Sequence, residues 1–161
     1  MPAYVDAATV DNYVASYYPQ SSAIRTKWEA LIEDDKNVFI NRATQMINLL
    51  PLRGKACEGN EMFMAFPREP DPGNNSLELA KQACCDLSIK LNGDDEFQER
   101  LNLQRQGVKS YKLGDLSETF GNNGYDAGID IFVYDTVFPF LRNWLSGGYK
   151  ILPEKHYCGG E

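Results

Sequence analysis

Between Pro51 and Asn74 the chain carries four prolines (Pro51, Pro67, Pro70, Pro72) and three glycines (Gly54, Gly59, Gly73). In the middle of that stretch lies an unbroken apolar run, Met62-Phe63-Met64-Ala65-Phe66. Proline and glycine at this density rule out a regular helix or a central strand. An apolar run with two aromatics rules out a solvated linker. Together the two demands leave a compact loop that folds its aromatics onto the domain. The rest of the chain has to be arranged around a long irregular segment with a buried middle.

On either side of that loop the pattern is helical. Val10, Tyr13, Val14 and Tyr17 fall at i, i+3, i+4 and i+7, the apolar stripe of a short helix that stops at Tyr18-Pro19. Ile24, Trp28, Leu31 and Ile32 repeat the pattern. Asp34 or Asp35 is the expected cap of a third helix with stripe Phe39, Ala43, Met46, Ile47 and Leu50, closed by Pro51 and Gly54. After the loop, Asn75 or Ser76 caps a fourth helix with Ala80, Cys84, Leu87 and Leu91 inward, ended by Asn92-Gly93. Alternation over 107–120 around Gly114-Asp115 predicts a β-hairpin. Ile131, Phe132, Val137, Phe138, Leu141, Trp144 and Leu145 predict a last helix, with Pro139 tolerable only in its first turn. The expectation is a mainly α fold: a small bundle of about four to five helices with a short β-hairpin and an extended C-terminal arm. Residues 1–145 form one domain and 146–161 a tail. At 161 residues the chain is long enough for one real core.

Composition excludes some roles. Sixteen Lys and Arg against 23 Asp and Glu leave a net charge of −7, which disfavours a general nucleic-acid binder. Aromatics at 12% argue against disorder. No apolar run reaches the length a membrane helix needs, so no membrane association is expected. Met1–Asp6 lacks the basic start and apolar run of a secretory signal, so the four cysteines (57, 84, 85, 158) are expected to be reduced thiols in a cytoplasm.

Reactive chemistry is sparse. His156 is the single histidine, and His156-Tyr157-Cys158 supplies two potential ligands where zinc takes four. The acids at Asp34-Asp35, Asp94-Asp95-Glu96 and Asp126/Asp130/Asp135 do not follow a calcium-loop spacing. Neither a dinucleotide fingerprint nor a Walker A loop occurs. The expectation is no catalytic residue, no metal, no cofactor and no enzyme. Lys109 and Lys112 flank Tyr111, an arrangement that suits either a base-stacking platform or an ordinary exposed strand. In the tail, Tyr149, Ile151, Leu152 and Tyr157 either fold back on their own domain or dock on a partner.

Three blocks, in order, resemble the head-to-tail connector (adaptor, or head-completion) proteins of tailed bacteriophages. The first is Tyr4-Val5 followed by a helix containing Asn12-Tyr13. The second runs from Ala43-Thr44 through Met46-Ile47, Leu52 and Gly54-Lys55 to Phe66-Pro67-Arg68. The third is the Ala80/Ala83 helix followed by Gly107-Val108-Lys109-Ser110 and Leu113-Gly114-Asp115-Leu116-Ser117. The likeness covers about residues 4–120. The chain departs from the pattern in lacking a proline directly at the start of the fourth helix, and in a longer, more aromatic region after Gly121.

This resemblance implies a virion structural protein at the head–tail junction, made in the host bacterial cytoplasm. It implies a homo-oligomeric, dodecameric ring below the portal protein that extends the DNA channel and meets the next neck or tail protein (stopper or terminator). Genomic double-stranded DNA would pass through the lumen without specific binding. A ring needs heterologous contacts between two different patches. The expected patches are Met62, Phe63, Phe66 and Arg68 on one side and Val108, Tyr111, Leu113 and Phe120 on the other. Trp144, Tyr149, Ile151, Leu152 and Tyr157 are the expected portal-docking residues. Relatives of this type are also labelled DnaT-like single-stranded-DNA-binding proteins, which supplies the alternative function.

Overall fold

A computed structural model describes residues 2–61, 64–93, 99, 110–113, 116–119 and 131–145, with backbone only for 110–113, 116–119, 131 and 132. Five helices and two small antiparallel sheets make up the described regular structure: α1 (Ala7–Tyr17), α2 (Ala23–Glu29), α3 (Glu33–Asn48), β1 (Lys55–Ala56), β2 (Arg68–Glu69), α4 (Ser76–Gly93), β3 (Ser110–Leu113), β4 (Leu116–Thr119) and α5 (Ile131–Leu141). The mainly α bundle with a short hairpin is the fold that the sequence predicts. No helix among the described residues is long and apolar enough to cross a membrane.

Local chemistry accounts for the helix ends. Asp6 caps α1, its carboxylate accepting from the Thr9 N–H at 2.8 Å and the Thr9 hydroxyl at 2.6 Å. Those two donors hold the Asp6 carboxyl below the usual carboxylate range. Tyr18, next to Pro19, is extended and closes the helix. Val10 and Val14 are buried as expected, whereas Tyr17 stands 66% exposed, outside the core. Ser22 caps α2, which buries Trp28 and stops at Glu29. The stripe predicted through Leu31 and Ile32 therefore breaks: Ile32 is extended and becomes the cap residue of α3. Glu33, Asp34 and Asp35 all lie inside the first turn of α3, complementing its dipole instead of capping it. The core face of α3 is Ile40, Ala43, Thr44 and Ile47, so Phe39 and Met46 sit at its edges.

α4 is the axis of the bundle, and α1, α2, α3 and α5 all pack on it. Ala80, Cys84, Leu87 and Leu91 face inward as predicted, but Ala83, Cys85, Asp86, Ser88 and Ile89 are buried as well. A helix buried around most of its circumference needs small side chains where neighbours approach. Ala80, Ala83, Cys84, Ser88 and Gly93 supply them. At Gly93 a β-carbon would lie 3.3 Å from the Ile24 Cα, so this residue sets the approach of α2. α5 contributes Val133, Tyr134, Val137 and Leu141 to the same core. Pro139 lies in the last turn of α5 rather than the first. Pro139 has no N–H to donate four residues back, yet the helix runs on to Leu141, and the Arg142, Trp144 and Leu145 N–H groups continue the turn beyond it.

The hairpin takes the predicted place, with Tyr111 opposite Glu118 and Leu113 opposite Leu116. Within the 51–74 loop, β1 pairs with β2, Lys55 opposite Glu69 and Ala56 opposite Arg68. Gly54 enters that pair with φ +76°, and a β-carbon there would fall 1.9 Å from the Glu69 carbonyl oxygen. Gly59 also has positive φ, +89°, but faces open space. Gly59→Ala should therefore cost only the roughly 1 kcal/mol of a left-handed backbone. Gly54→Ala should cost more than about 3 kcal/mol, because β1 and β2 cannot close over the added carbon. Urea unfolding of the two variants checks the difference.

Candidate functional site

Of the residues singled out by sequence, Phe66, Arg68 and Trp144 come together at the 51–74 loop, which is fastened from three sides. From the N-terminal side, the Tyr4 hydroxyl accepts from the Ala65 N–H at 3.1 Å and the Phe66 N–H at 3.3 Å, and donates to Asn48 Oδ1. Asn48 Oδ1 also accepts from the Ala65 N–H at 3.0 Å. From the C-terminal side, the Trp144 indole N–H donates to the Pro70 carbonyl at 2.9 Å. The Arg53 N–H returns a bond to the Trp144 carbonyl at 2.6 Å, beside an antiparallel bridge between Leu52 and Leu145. Phe66 lies between the two anchors, its ring edge-on to Tyr4 at 6.3 Å and to Trp144 at 5.8 Å.

From within the loop, Arg68 donates Nε–H to the Arg53 carbonyl at 3.0 Å. Its two terminal nitrogens reach the Ala65 carbonyl at 3.1 Å and the Gly54 carbonyl at 2.9 Å. One guanidinium thus satisfies three carbonyls that no regular strand would reach. Asp71 finishes the segment, its carboxylate accepting from the Asn75 N–H at 3.1 Å and the Ser76 N–H at 3.0 Å at the start of α4. The Ser76 hydroxyl in turn accepts from the Arg68 N–H at 3.2 Å. The predicted Asn75/Ser76 cap is therefore backed by a carboxylate that sequence reasoning missed. Its signal, an Asp four residues ahead of Asn75, was available.

This geometry corrects part of the predicted interface. Phe66 and Trp144 are each 1% exposed, so neither presents a surface to a ring neighbour or a portal. Arg68 has its guanidinium committed to its own backbone and serves the loop. Met62, Phe63, Val108, Phe120, Tyr149, Ile151, Leu152 and Tyr157 lie outside the described residues. Tyr111 and Leu113 occupy register positions on β3. Exposed large hydrophobics that the sequence reading did not select are Tyr17, Ile32, Val38 and Leu49.

The titratable groups of the core are structural. Cys84 and Cys85 are free and buried. Burial pushes their thiols up to about 11 and about 12, which keeps them protonated and unreactive near neutral pH. Cys57 is disulfide-bonded, a departure from the expected set of four reduced thiols. Asp86 on α4 accepts from the hydroxyl of Tyr18, at the end of α1, at 2.7 Å and pairs with Lys90 at 3.1 Å. Asp11 accepts from the Trp28 indole N–H at 2.8 Å and pairs with Lys36 at 2.9 Å, whose ammonium lies 5.8 Å from the Trp28 ring centroid. Among the described residues no group of three or more His, Cys, Asp or Glu side chains is placed to hold a metal ion. The chemistry this arrangement performs is hydrogen-bonding and packing. No protein-family model, curated protein or solved structure matches the chain.

Burial pushes the Tyr4 phenol up to about 12, against the two backbone N–H donors that favour its anion. Its folded pKa is raised, so the neutral phenol contributes fully below its ordinary value of 10.0, and that contribution fades as pH rises to about 12. The raised Cys84 and Cys85 values act in the same direction, from 9.0 upward. Urea-unfolding stability should fall across this alkaline window. In Tyr4→Phe it should start lower by about 1–2 kcal/mol, because the Phe66 N–H loses its acceptor, and then decline less steeply above pH 10. An unchanged slope would show that Tyr4 does not carry the effect.

Proposed function

We propose that this chain is the adaptor subunit of a tailed-phage head-to-tail connector, a ring-forming structural protein that joins the portal to the next neck component. The observation that carries the reading is where the motifs of the resemblance lie in space. Tyr4 donates its N–H to the Thr44 hydroxyl at 3.4 Å, and that hydroxyl lies 3.5 Å from the Cys84 sulfur, one residue beyond Ala83. Gly54, Phe66 and Arg68 are bound together in the loop that Tyr4 closes. Motifs far apart in sequence thus form one contact network. Such a network is what would keep those residue types in that order through a family, because each one satisfies another.

Catalysis is not part of this reading. The subunit acts mechanically, as a rigid piece of a DNA channel, and the −7 charge suits a lumen past which phosphates slide without adhering. Ring contacts fall to Met62 and Phe63 on one side and the 107–120 hairpin on the other. Portal docking falls to the tail residues Tyr149, Ile151, Leu152 and Tyr157.

Electron microscopy of intact particles tests the proposal, and a ring of this chain between portal and tail is the expected result. The contradicting result is a chain absent from particles that retains single-stranded DNA on filters in a salt-sensitive way, with retention weakened by changing Lys109, Tyr111 and Lys112. That outcome would assign the DnaT-like function instead. Deleting residues 146–161 is expected to abolish co-sedimentation with the portal.

A further inference from the structure

The fastened loop, the buried thiols and the Asp86 and Asp11 clusters are all consumed by the fold. The outward face of α3 is not. Opposite its core side, Asp34, Asp35, Val38, Arg42, Gln45 and Leu49 recur at helical spacing and every one is exposed. Val38 is 56% exposed and Leu49 80%, and Ile32, the cap residue, is 65% exposed. Three of the four exposed large hydrophobics among the described residues therefore sit on one helix and its two cap residues. Charge is sorted along the same face. Of the three acids in the first turn, Asp34 and Asp35 lie on this face, and the Arg42 guanidinium follows two turns on. Among the described residues, Asp34, Asp35 and Arg42 make no ion pair within the chain.

We propose that this face pairs two copies of the chain, α3 against α3 and antiparallel, about a two-fold axis at Val38. The spacing carries the argument. At about 1.5 Å rise per residue, Asp34 lies about 6 Å before Val38 and Arg42 about 6 Å after it. Turning the helix end for end about Val38 brings Arg42 of each copy to the level of Asp34 and Asp35 of the other, on the Asp35 side of the seam. Val38 meets its own counterpart on the axis, and Leu49 continues the same stripe beyond Arg42. An isologous contact requires a self-complementary patch, and opposite charges on either side of its centre supply one. A foreign partner would impose no such symmetry, so the complementarity selects a second copy. The extra carboxylate on each side is balanced by the N-terminal dipole of its own helix. A single helix face is a small interface, so the dimer is weak and forms with rising concentration. The pairing concerns the free subunit and does not depend on the connector reading.

Sedimentation equilibrium of the full chain tests it, with circular dichroism confirming that each variant is folded. The wild-type mass is expected to rise from one chain to two with concentration. Arg42→Glu should lose the dimer, and so should Asp34→Lys combined with Asp35→Lys. All three changes together should restore it, which no merely structural role of these exposed residues would produce. Under mild oxidation Val38→Cys should link two chains, and Asn37→Cys, off the stripe, should not. A chain that stays monomeric, a dimer that survives either charge reversal, a triple variant that fails to re-form it, or a larger ring as the only assembly would each overturn the proposal.

Discussion

Backbone polar groups buried without partners are the constraint on which this fold turns. A loop as long and as irregular as 51–74 cannot satisfy its carbonyls and amides through a ladder, and its apolar middle cannot stay in water. The chain resolves both demands at once. Phe66 goes into the core between Tyr4 and Trp144, and the groups carried inward with it are met by side chains sent from elsewhere. The Tyr4 hydroxyl and Asn48 take the amides, the Arg68 guanidinium takes three carbonyls, and the Trp144 indole takes a fourth. Removing one partner leaves a buried group unmet, which costs on the order of 1–3 kcal/mol.

The fastening also determines how the helices are joined. Tyr4 precedes α1, Asn48 is the last residue of α3, Asp71 and Ser76 open α4, and Trp144 follows α5. A loop held at those points fixes the ends of four helices relative to one another, while α4 with its small side chains brings their middles together. Polar contacts in the core follow the same economy. Thr44 meets both Tyr4 and Cys84, and Ser88 donates back to the Cys84 carbonyl at 2.6 Å. A domain built this way ties its longest loop and its helix ends into one hydrogen-bonded, packed unit.

Much of this was legible in the sequence, and the misses have physical causes. α4 could be read because its caps and inner residues follow local rules: Ser76 and Gly93 mark its ends, and Ala80, Cys84, Leu87 and Leu91 its stripe. The hairpin was legible from alternation about Gly114-Asp115. The α2–α3 junction was not, since Leu31 and Ile32 continue an apolar period that the backbone leaves, and periodicity carries no information on where a turn falls. The composition of the loop already asks for its aromatics to be buried, whereas the connector resemblance implies ring and portal contacts at Phe66 and Trp144. Their burial depends on partners 62 and 74 residues away in sequence, Tyr4 and Pro70. Arg68 was read as an interface cation for the same reason: nothing local announces that three carbonyls will converge on it. Asp71 is the exception, a local cap concealed by the prolines on either side of it.

Residue-resolved amide hydrogen exchange on the intact chain tests the fastening most directly. The amides of Arg53, Ala65 and Phe66 lie in a segment with almost no regular structure, yet each donates to an anchor. If the loop is part of the core, they open only with the domain and exchange as slowly as the amides of Leu87 and Ser88 in α4. Exchange at the rate of an exposed loop, with α4 still protected, would contradict the account.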